Sequence, residues 1–240
     1  MLQWNKIYKG DSFELLNQID DGSVDLMLTD PPYNISVEGG KAAYGRGRVG
    51  IDFGEWDYNF DTKAWINLAA TKMHPERGQV MIFNSFRNME LMSRELEKLG
   101  YTVRALPYWY KTNPIPHAPN RLPLNTFEQV LWATRGNDYV FNVRELKKAE
   151  DGRFTASSHE AQGKRFHTTQ KPVSLWTPIM RIHTNRGDKV LDTFSGSGVT
   201  AVVADELRRK FIGFENDDTY YGKSEDRLKR QKRKVRTLWA

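Results

Sequence analysis

Short apolar runs alternate with segments of helical periodicity along most of the 240-residue chain. The runs VDLMLT, QVMIFN and FIGFE have the composition of buried strands, and FRNMELMSRELEKLG places its apolar residues at helical spacing. Strands and helices that alternate in this way form a mostly parallel sheet with helices on both faces. We therefore predict an α/β fold of the doubly wound, Rossmann-like type, with seven strands in its sheet, one of which is YTVRALPYWYK.

Two segments interrupt this alternation within what we predict to be a single domain over residues 1–240. Residues 37–54 contain six glycines together with Lys41, Arg46 and Arg48. Such a loop either closes over a ligand or simply connects two elements, and the sequence leaves both open. Residues 136–166 are polar, charged and without period, which predicts a small irregular insert.

The stretch TDPPYNI follows the run VDLMLT, so that Asp30 stands at the carboxyl end of a predicted strand. Ligands of open parallel sheets bind beyond those ends. Two consecutive prolines stiffen the turn and remove two N–H donors. The Asp30 carboxylate and a neighbouring carbonyl would then accept both protons of a planar amino group, and Tyr33 would stack on the ring that carries it. A strand terminator with a packed tyrosine is the alternative.

A second motif, KVLDTFSGSGVTAVVADELRRKFIGFEN, joins a strand, a glycine turn, a helix and another strand. Gly196 and Gly198 allow a ligand to approach the backbone, and the helix behind them offers free N–H groups. Glu215 ends the following strand, where a carboxylate can bind the hydroxyls of a ribose. The motif predicts a cofactor that contains a nucleoside. Because the spacing Gly196-x-Gly198-x-x-Ala201 also fits the dinucleotide fingerprint, a nicotinamide-dependent oxidoreductase remains an alternative.

Composition narrows the chemistry further. The chain has no cysteine, which excludes disulfides, thiolate ligands and a cysteine nucleophile. Its five histidines are not spaced as a helical metal pair, so we expect no metal site. No apolar run reaches the roughly 18 residues of a membrane span, and the amino terminus lacks a secretory signal, so we expect a cytoplasmic protein. The net charge of +6 is compatible with a polyanionic partner.

The two motifs and two flanking segments resemble those of a known family. TDPPYN resembles the catalytic motif, and DTFSGSG the cofactor loop, of amino-type DNA methyltransferases of the permuted beta class, which use S-adenosylmethionine. HTTQKPVSLW resembles the segment before their cofactor strand, and YKGDSFELL their amino-terminal strand and turn. The similarity covers nearly the whole chain, although Thr193 and Val199 depart from the family's usual residues. It implies an enzyme that methylates duplex DNA, typical of restriction-modification systems.

The resemblance implies roles for the residues of the first motif. Asp30 and the Pro31 carbonyl would hold the target amino group, in a catalytic motif that also includes Pro32. Tyr33 would stack on a base flipped out of the duplex. Methyl transfer would then be direct, with no covalent enzyme intermediate. In the resembling families an aspartate at the position of Asp30 goes mostly with adenine, which favours adenine N6 over the alternative, cytosine N4.

The same resemblance implies a site for S-adenosylmethionine. Asp11 would contact its adenine and Glu215 its ribose, while Lys171 and Pro172 would lie near its methionine end. The full implied set is Asp11, Asp30, Lys171, Pro172, Asp192, Phe194, Ser195, Gly196, Ser197, Gly198, Thr200 and Glu215.

Double-stranded DNA is the partner that the resemblance implies. It assigns residues 136–166 to a small target-recognition insert, whose basic side chains are available to phosphates or guanines. These basic residues are Arg144, Lys147, Lys148, Arg153, Lys164 and Arg165. A homodimer and a cognate restriction endonuclease remain open as further partners. A DNA-binding relative without catalysis is a third reading of the chain, against which the intact motifs argue.

Overall fold

The computed structural model describes residues 1–36, 57–114, 123–149, 153–158, 166 and 169–238, with side chains up to residue 233. The glycine-rich loop predicted at residues 37–54 lies outside the described residues, as do Lys164 and Arg165 of the predicted insert. Within the described part of the chain, no helix combines the length and the apolar composition needed to cross a bilayer.

Nine strands of the described chain form one sheet, and seven helices connect or flank them. The strands are β1 (Lys6–Lys9), β2 (Leu26–Thr29), β3 (Gln79–Asn84), β4 (Thr102–Ala105), β5 (Tyr108–Lys111), β6 (Phe127–Thr134), β7 (Arg153–Ala156), β8 (Lys189–Asp192) and β9 (Lys210–Glu215). The helices are α1 (Ser12–Leu16), α2 (Thr62–Thr71), α3 (Phe86–Lys98), α4 (Val143–Lys148), α5 (Val173–His183), α6 (Val199–Glu206) and α7 (Asp218–Leu238).

The strand order in the sheet is β1-β9-β8-β2-β3-β6-β5-β7, with β4 also paired to β6. The first five strands of this order run parallel to one another, and β7 is parallel to β5. Only β6 pairs antiparallel among these strands, with β3, β4 and β5. This topology confirms the predicted α/β class with a mostly parallel sheet. It also aligns the carboxyl ends of β2, β8 and β9 at one edge of the sheet.

Helices cover both faces of the sheet. Every residue of β2 and β3 is buried, which explains why their sequences are continuously apolar rather than alternating. On one face Trp176 of α5 stacks on Phe83 of β3, with ring centroids 4.8 Å apart. On the other face Trp65 of α2 and Leu96 of α3 are buried in a second cluster. Each such side chain contributes roughly 1.5–3 kcal/mol by its burial.

The sheet differs from the prediction in strand number, which is nine instead of seven. The predicted strand YTVRALPYWYK divides into β4 and β5, because Pro107 lies between them and has no N–H for a ladder. The second extra strand is β7, within residues 136–166, which also contain α4. The insert is therefore not wholly irregular, since β7 extends the sheet beside β5. Its four residues are too few to show a period in the sequence.

Candidate active site

A cleft of about 600 Å³ lies beyond the carboxyl ends of β2, β8 and β9, and both sequence motifs line it. The predicted residues in its wall are Asp11, Asp30, Pro32, Lys171, Asp192, Phe194, Ser195, Gly196, Ser197 and Glu215. The other predicted residues each adjoin a wall residue in sequence; they are Pro31, Tyr33, Pro172, Gly198 and Thr200. The edge of the sheet thus brings together residues that are far apart in the chain.

The loop between β8 and α6 has a form that requires glycine. Gly198 has a φ of 72°, in the left-handed region that residues with a side chain rarely adopt. A Cβ atom at Gly198 would lie 3.0 Å from the Cβ of Ser224, because α7 packs directly against the loop. The Gly198 N–H donates to the Ser195 carbonyl at 2.7 Å, and the Ser195 N–H donates to the Phe214 carbonyl at 2.6 Å. The loop is therefore fixed between β9 and α7.

Glu215 is fixed at the end of β9 by two backbone groups. The Gly196 N–H donates to Oε2 at 2.7 Å and the Asp217 N–H donates to Oε1 at 2.9 Å. Burial raises the pKa of Glu215 to about 7, and these two N–H groups limit the rise. Each carboxylate oxygen keeps a second lone pair, so the side chain can still accept hydrogen bonds from a ligand.

Asp11 and Pro172 stand at the amino-terminal ends of two helices. Asp11 caps α1, because its Oδ1 accepts the Phe13 N–H at 2.8 Å. Pro172 is buried and precedes α5, where its missing N–H leaves no intrahelical bond unmade. Both predicted residues thus help to set the positions of helices at the cleft.

Three buried side-chain oxygens of the cleft wall have no hydrogen-bond partner among the described residues. They are Ser12 Oγ, Gln170 Oε1 and Ser195 Oγ. Buried polar atoms are nearly always hydrogen-bonded in native proteins, so these atoms indicate a polar ligand. The wall also offers aromatic rings, since Phe60 and Phe194 pack edge to face with centroids 5.3 Å apart. This combination fits a nucleoside cofactor, which has both flat and polar parts.

Asp192 anchors the floor of the cleft. Thr29 Oγ1 donates to its Oδ1 at 2.9 Å, and Thr200 Oγ1 donates to its Oδ2 at 2.6 Å. Thr200 in turn accepts the indole N–H of Trp176 at 2.7 Å. Burial raises the pKa of Asp192 to about 6, against the effect of the two hydroxyl groups. These bonds join β2, β8, α5 and α6, so Thr200 acts on the cleft through Asp192.

Asp30 opens onto the cleft while two side chains hold its carboxylate. Lys171 Nζ lies 2.7 Å from Oδ2, and the Tyr33 hydroxyl donates to Oδ1 at 2.6 Å. Burial raises the pKa of Asp30, and the Lys171 ammonium opposes this rise. Burial acts to lower the pKa of Lys171, but Asp30 and Glu128 outweigh it and raise that pKa, so Lys171 stays charged. Lys171 is therefore an ion-pair partner of Asp30, a contact that the sequence did not predict.

The chain is similar in sequence to known DNA methylases. The sequence matches the DNA methylase family over residues 24–226. The chain is 35% identical to the Type II methyltransferase M2.LlaDCHI of Lactococcus lactis subsp. cremoris and 34% identical to M2.DpnII of Streptococcus pneumoniae, in each case over 91% of this chain and 87% of the relative. The chain belongs to the DNA methylase family. This confirms the resemblance drawn from the motifs and sets aside the nicotinamide-dependent alternative.

The fold of the methylase also has a solved counterpart. The crystal structure of the M1.HpyAVI-SAM complex is similar, with a TM-score of 0.74 and 31% sequence identity. The match covers 93% of this chain and 98% of that one. The similarity therefore extends over the sheet and the cleft together.

Two residues around Asp30 of the methylase were missed by sequence reasoning. Glu128 of β6 lies 3.0 Å from Lys171 Nζ through its Oε2 and 2.9 Å from Lys111 Nζ through its Oε1. Burial would raise the pKa of Glu128, but Lys171 and Lys111 outweigh it and lower that pKa to about 2. The sequence signal for these two residues was a charged side chain in an otherwise largely apolar strand: Glu128 in FEQVLWAT and Lys111 at the end of YWYK. We call Asp30, Tyr33, Lys111, Glu128 and Lys171 the Asp30 cluster.

Asp57 is a third residue that the sequence did not reveal. Its Oδ1 accepts the N–H groups of Tyr33 at 2.6 Å and Asn34 at 2.9 Å. Its Oδ2 accepts the N–H groups of Ile35 at 3.0 Å and Ser36 at 2.8 Å. The Asp57 side chain is itself buried. Four backbone donors on one carboxylate fix the turn that follows Asp30.

Replacing Asp57 with asparagine is expected to slow methyl transfer about 10- to 100-fold, because small misplacements of reacting groups have effects of this size. An amide keeps one acceptor oxygen and turns its NH₂ towards two backbone donors, which then lose their partner. Binding of S-adenosylmethionine should change little, since Asp57 does not line the cleft. Single-turnover transfer of a tritiated methyl group and a cofactor titration measure both quantities. The exposed Asp20→Asn variant is the control. Transfer at the wild-type rate by Asp57→Asn would show that the hydrogen bonds of Asp57 to the turn do not position the reacting groups.

Proposed function

We propose that this methylase transfers a methyl group from S-adenosylmethionine to N6 of an adenine flipped out of duplex DNA. One observation carries the proposal: Asp30 opens onto the same cleft as the glycine loop and Glu215. A hydrogen-bond acceptor for the target amino group and a site for a nucleoside cofactor therefore share one space. Such proximity is the main source of acceleration in a direct transfer.

The cofactor residues follow from the donors and acceptors of the cleft. S-adenosylmethionine, when bound, supplies an electrophilic methyl group. Glu215 would accept hydrogen bonds from its ribose hydroxyls, and Asp11 would contact its adenine. The unpartnered Ser195 Oγ and Gln170 Oε1 would supply further polar contacts. The solved M1.HpyAVI-SAM complex, which shares 31% of its sequence with this chain, supports this choice of cofactor.

Asp30 and its neighbours would activate the amino group. An exocyclic amino nitrogen is a weak nucleophile because its lone pair is delocalised into the ring. Hydrogen bonds from both N–H groups to the Asp30 carboxylate and the Pro31 carbonyl favour a pyramidal nitrogen with a localised lone pair. Pro32 stiffens the turn, and Tyr33 would stack on the flipped base. The nitrogen would take the methyl group as the S–CH₃ bond breaks, which leaves S-adenosylhomocysteine, and it would give up one proton to the Asp30 carboxylate, whose pKa is raised by burial.

The acceptor pair alone would serve cytosine N4 equally well. We propose adenine because an aspartate at the position of Asp30 goes mostly with adenine in the resembling families.

For recognition of the DNA we propose residues 136–166 as the target-recognition insert. Within it, the helix α4 carries Arg144, Lys147 and Lys148, and β7 begins with Arg153. The two relatives are named type II methyltransferases, which supports a role in a restriction-modification system. A partner endonuclease, a cytoplasmic location and a homodimer are further proposals.

The affinity for S-adenosylmethionine is expected to fall as the pH drops below about 7, by at most about tenfold per pH unit. The pKa of Glu215 is raised by burial to about 7, so the free enzyme protonates this group first. A protonated carboxyl accepts fewer hydrogen bonds from ribose hydroxyls than a carboxylate does. Asp192, with a pKa of about 6, adds a second titration at lower pH. Calorimetric titrations across this range measure the effect, and Glu215→Gln should remove the upper step. An affinity that does not vary with pH contradicts the assignment.

The proposed function is tested by long-read sequencing that detects methylated bases, on a plasmid from cells that express the chain. The expected result is N6-methyladenine at one short recognition sequence, and none in cells that express Asp30→Ala. N4-methylcytosine at the site would refute the choice of base. A plasmid without any methylation, from cells that contain the folded protein, would refute the activity.

A further inference from the structure

The two oxygens of the Asp30 carboxylate are both engaged by the protein itself. The Tyr33 hydroxyl donates to Oδ1 at 2.6 Å, and Lys171 Nζ lies 2.7 Å from Oδ2. The proposed function requires the same carboxylate to accept a hydrogen bond from the target amino group. Each oxygen keeps a second lone pair for the base, but a carboxylate that already accepts from an ammonium and a hydroxyl is a weaker acceptor for the amino group, so binding of the base favours a weaker bond from at least one of the two donors. A donor that lost its acceptor in this largely buried site would be left unpaired, which is costly.

A second acceptor for the same two donors is already in place. Glu128 Oε2 lies 3.0 Å from Lys171 Nζ and 3.4 Å from the Tyr33 hydroxyl. The distance to the Tyr33 hydroxyl exceeds the usual 2.5–3.0 Å of an O–H···O bond, so in this structure the hydroxyl donates mainly to Asp30. A movement of a few tenths of an ångström would complete its bond to Glu128. Glu128 could accept this bond while it keeps its contacts with Lys171 and Lys111.

The position of Glu128 does not depend on the loop that carries Asp30. Glu128 belongs to β6, whereas Asp30 follows β2, and β3 lies between these strands in the sheet. Lys111 of β5 binds the other oxygen, Oε1, at 2.9 Å, which leaves Oε2 to face Lys171 and Tyr33. The two lysines outweigh the effect of burial and lower the pKa of Glu128 to about 2, so this side chain is an ionised acceptor near neutral pH. The carboxylate is therefore a fixed acceptor beside a catalytic one.

We propose that Glu128 is a positioning residue that receives the Lys171 ammonium and the Tyr33 hydroxyl when Asp30 binds the target amino group. This inference rests on the proposed function, because it requires Asp30 to bind the base. Glu128 does not itself contact the substrate in this scheme. Its effect is to free the Asp30 oxygens without leaving a buried donor unpaired. Without Glu128 the two donors stay on Asp30 and compete with the base.

The test uses a pair of variants that separates this role from charge balance. Glu128→Leu removes the second acceptor but leaves two lysines with one carboxylate. Glu128→Leu/Lys111→Met removes the acceptor and one charge of each sign, so the net charge of the Asp30 cluster is unchanged. Glu95→Leu is the matched control, because Glu95 forms an ion pair with Lys98 on α3, outside the cleft. Thermal unfolding of each protein shows whether it is folded.

Single-turnover transfer to a duplex with one target adenine is expected to slow about 10- to 100-fold in both Glu128 variants, as expected for loss of one hydrogen bond to a charged group. Binding of S-adenosylmethionine should stay within about twofold, a split that a general loss of structure would not give. Transfer at the wild-type rate by the double variant overturns the inference, since Glu128 would then only balance Lys111. Equal losses of transfer and cofactor binding overturn it as well. If the wild-type protein methylates no adenine, the proposed function fails instead.

Discussion

Replacing Asp30 with alanine is expected to reduce single-turnover methyl transfer to DNA by about 10³-fold, the upper range for loss of one preorganised group that acts on the reacting atom. In the proposed mechanism, loss of the carboxylate leaves the lone pair of the amino nitrogen delocalised into the ring, so the nitrogen is no longer directed towards the methyl donor. The affinity for S-adenosylmethionine should change much less, because Glu215 and the glycine loop remain. Tritium transfer from the labelled cofactor to duplex DNA measures the rate, and a titration measures the affinity.

The control for this experiment is Asp20→Ala, which removes an exposed aspartate of the same chain and should leave transfer unchanged. Asp30→Asn refines the interpretation, because the amide keeps one acceptor oxygen and almost the same shape. We expect its rate to lie between those of the wild type and the alanine variant. Full activity of Asp30→Ala would show that the chemistry does not involve this carboxylate.

Replacing Lys171 with methionine is expected to lower the free energy of unfolding by about 3 kcal/mol, as for other buried ion pairs that lose one partner. The Lys171 side chain is 7% exposed, and its partners Asp30 and Glu128 are 16% and 19% exposed. Without the ammonium, two carboxylates share one largely buried site with Lys111 as their remaining cation. A methionine side chain has about the volume of a lysine side chain, so the lower free energy of unfolding would come from the lost charge and not from a cavity. Urea denaturation measures the change.

Two further variants identify the cause of that loss. Lys98→Met breaks the pair with Glu95, but the Lys98 side chain is 64% exposed, so we expect less than about 1 kcal/mol. Lys171→Met/Glu128→Gln removes one charge of each sign and should recover much of the stability lost in Lys171→Met. If Lys171→Met unfolds at the same urea concentration as the wild type, the Asp30 cluster is not the buried ionic unit described here.

The fold was predictable where the sequence shows continuous apolar runs. The strands β2, β3, β8 and β9 were predicted because each is buried on both faces. The break between β4 and β5 was visible as Pro107, but the long apolar run around it outweighed one proline. The strand β7 was not predictable, since its four residues have no period and it forms only by pairing with β5.

The residues that line the cleft were predictable where they are neighbours in the chain. Asp30 and the glycine loop stand out because each follows a buried strand directly. The contacts of Lys171, Glu128 and Asp57 were not predictable in the same way, because each joins segments distant in sequence. A charged residue inside an apolar strand, as with Glu128, signals a buried partner but does not identify it. Only the sheet order, with β3 between β2 and β6, brings the groups together.

The most direct test is a crystal structure of the enzyme with S-adenosylhomocysteine and a duplex that contains its target adenine. The account predicts that the flipped adenine has its N6 within about 3 Å of an Asp30 carboxylate oxygen, the range of a hydrogen bond. The sulfur atom should lie in the same cleft, on the side of the glycine loop. An adenine whose N6 lies beyond hydrogen-bond reach of Asp30, in a complex that turns over once the methyl donor is supplied, would contradict it.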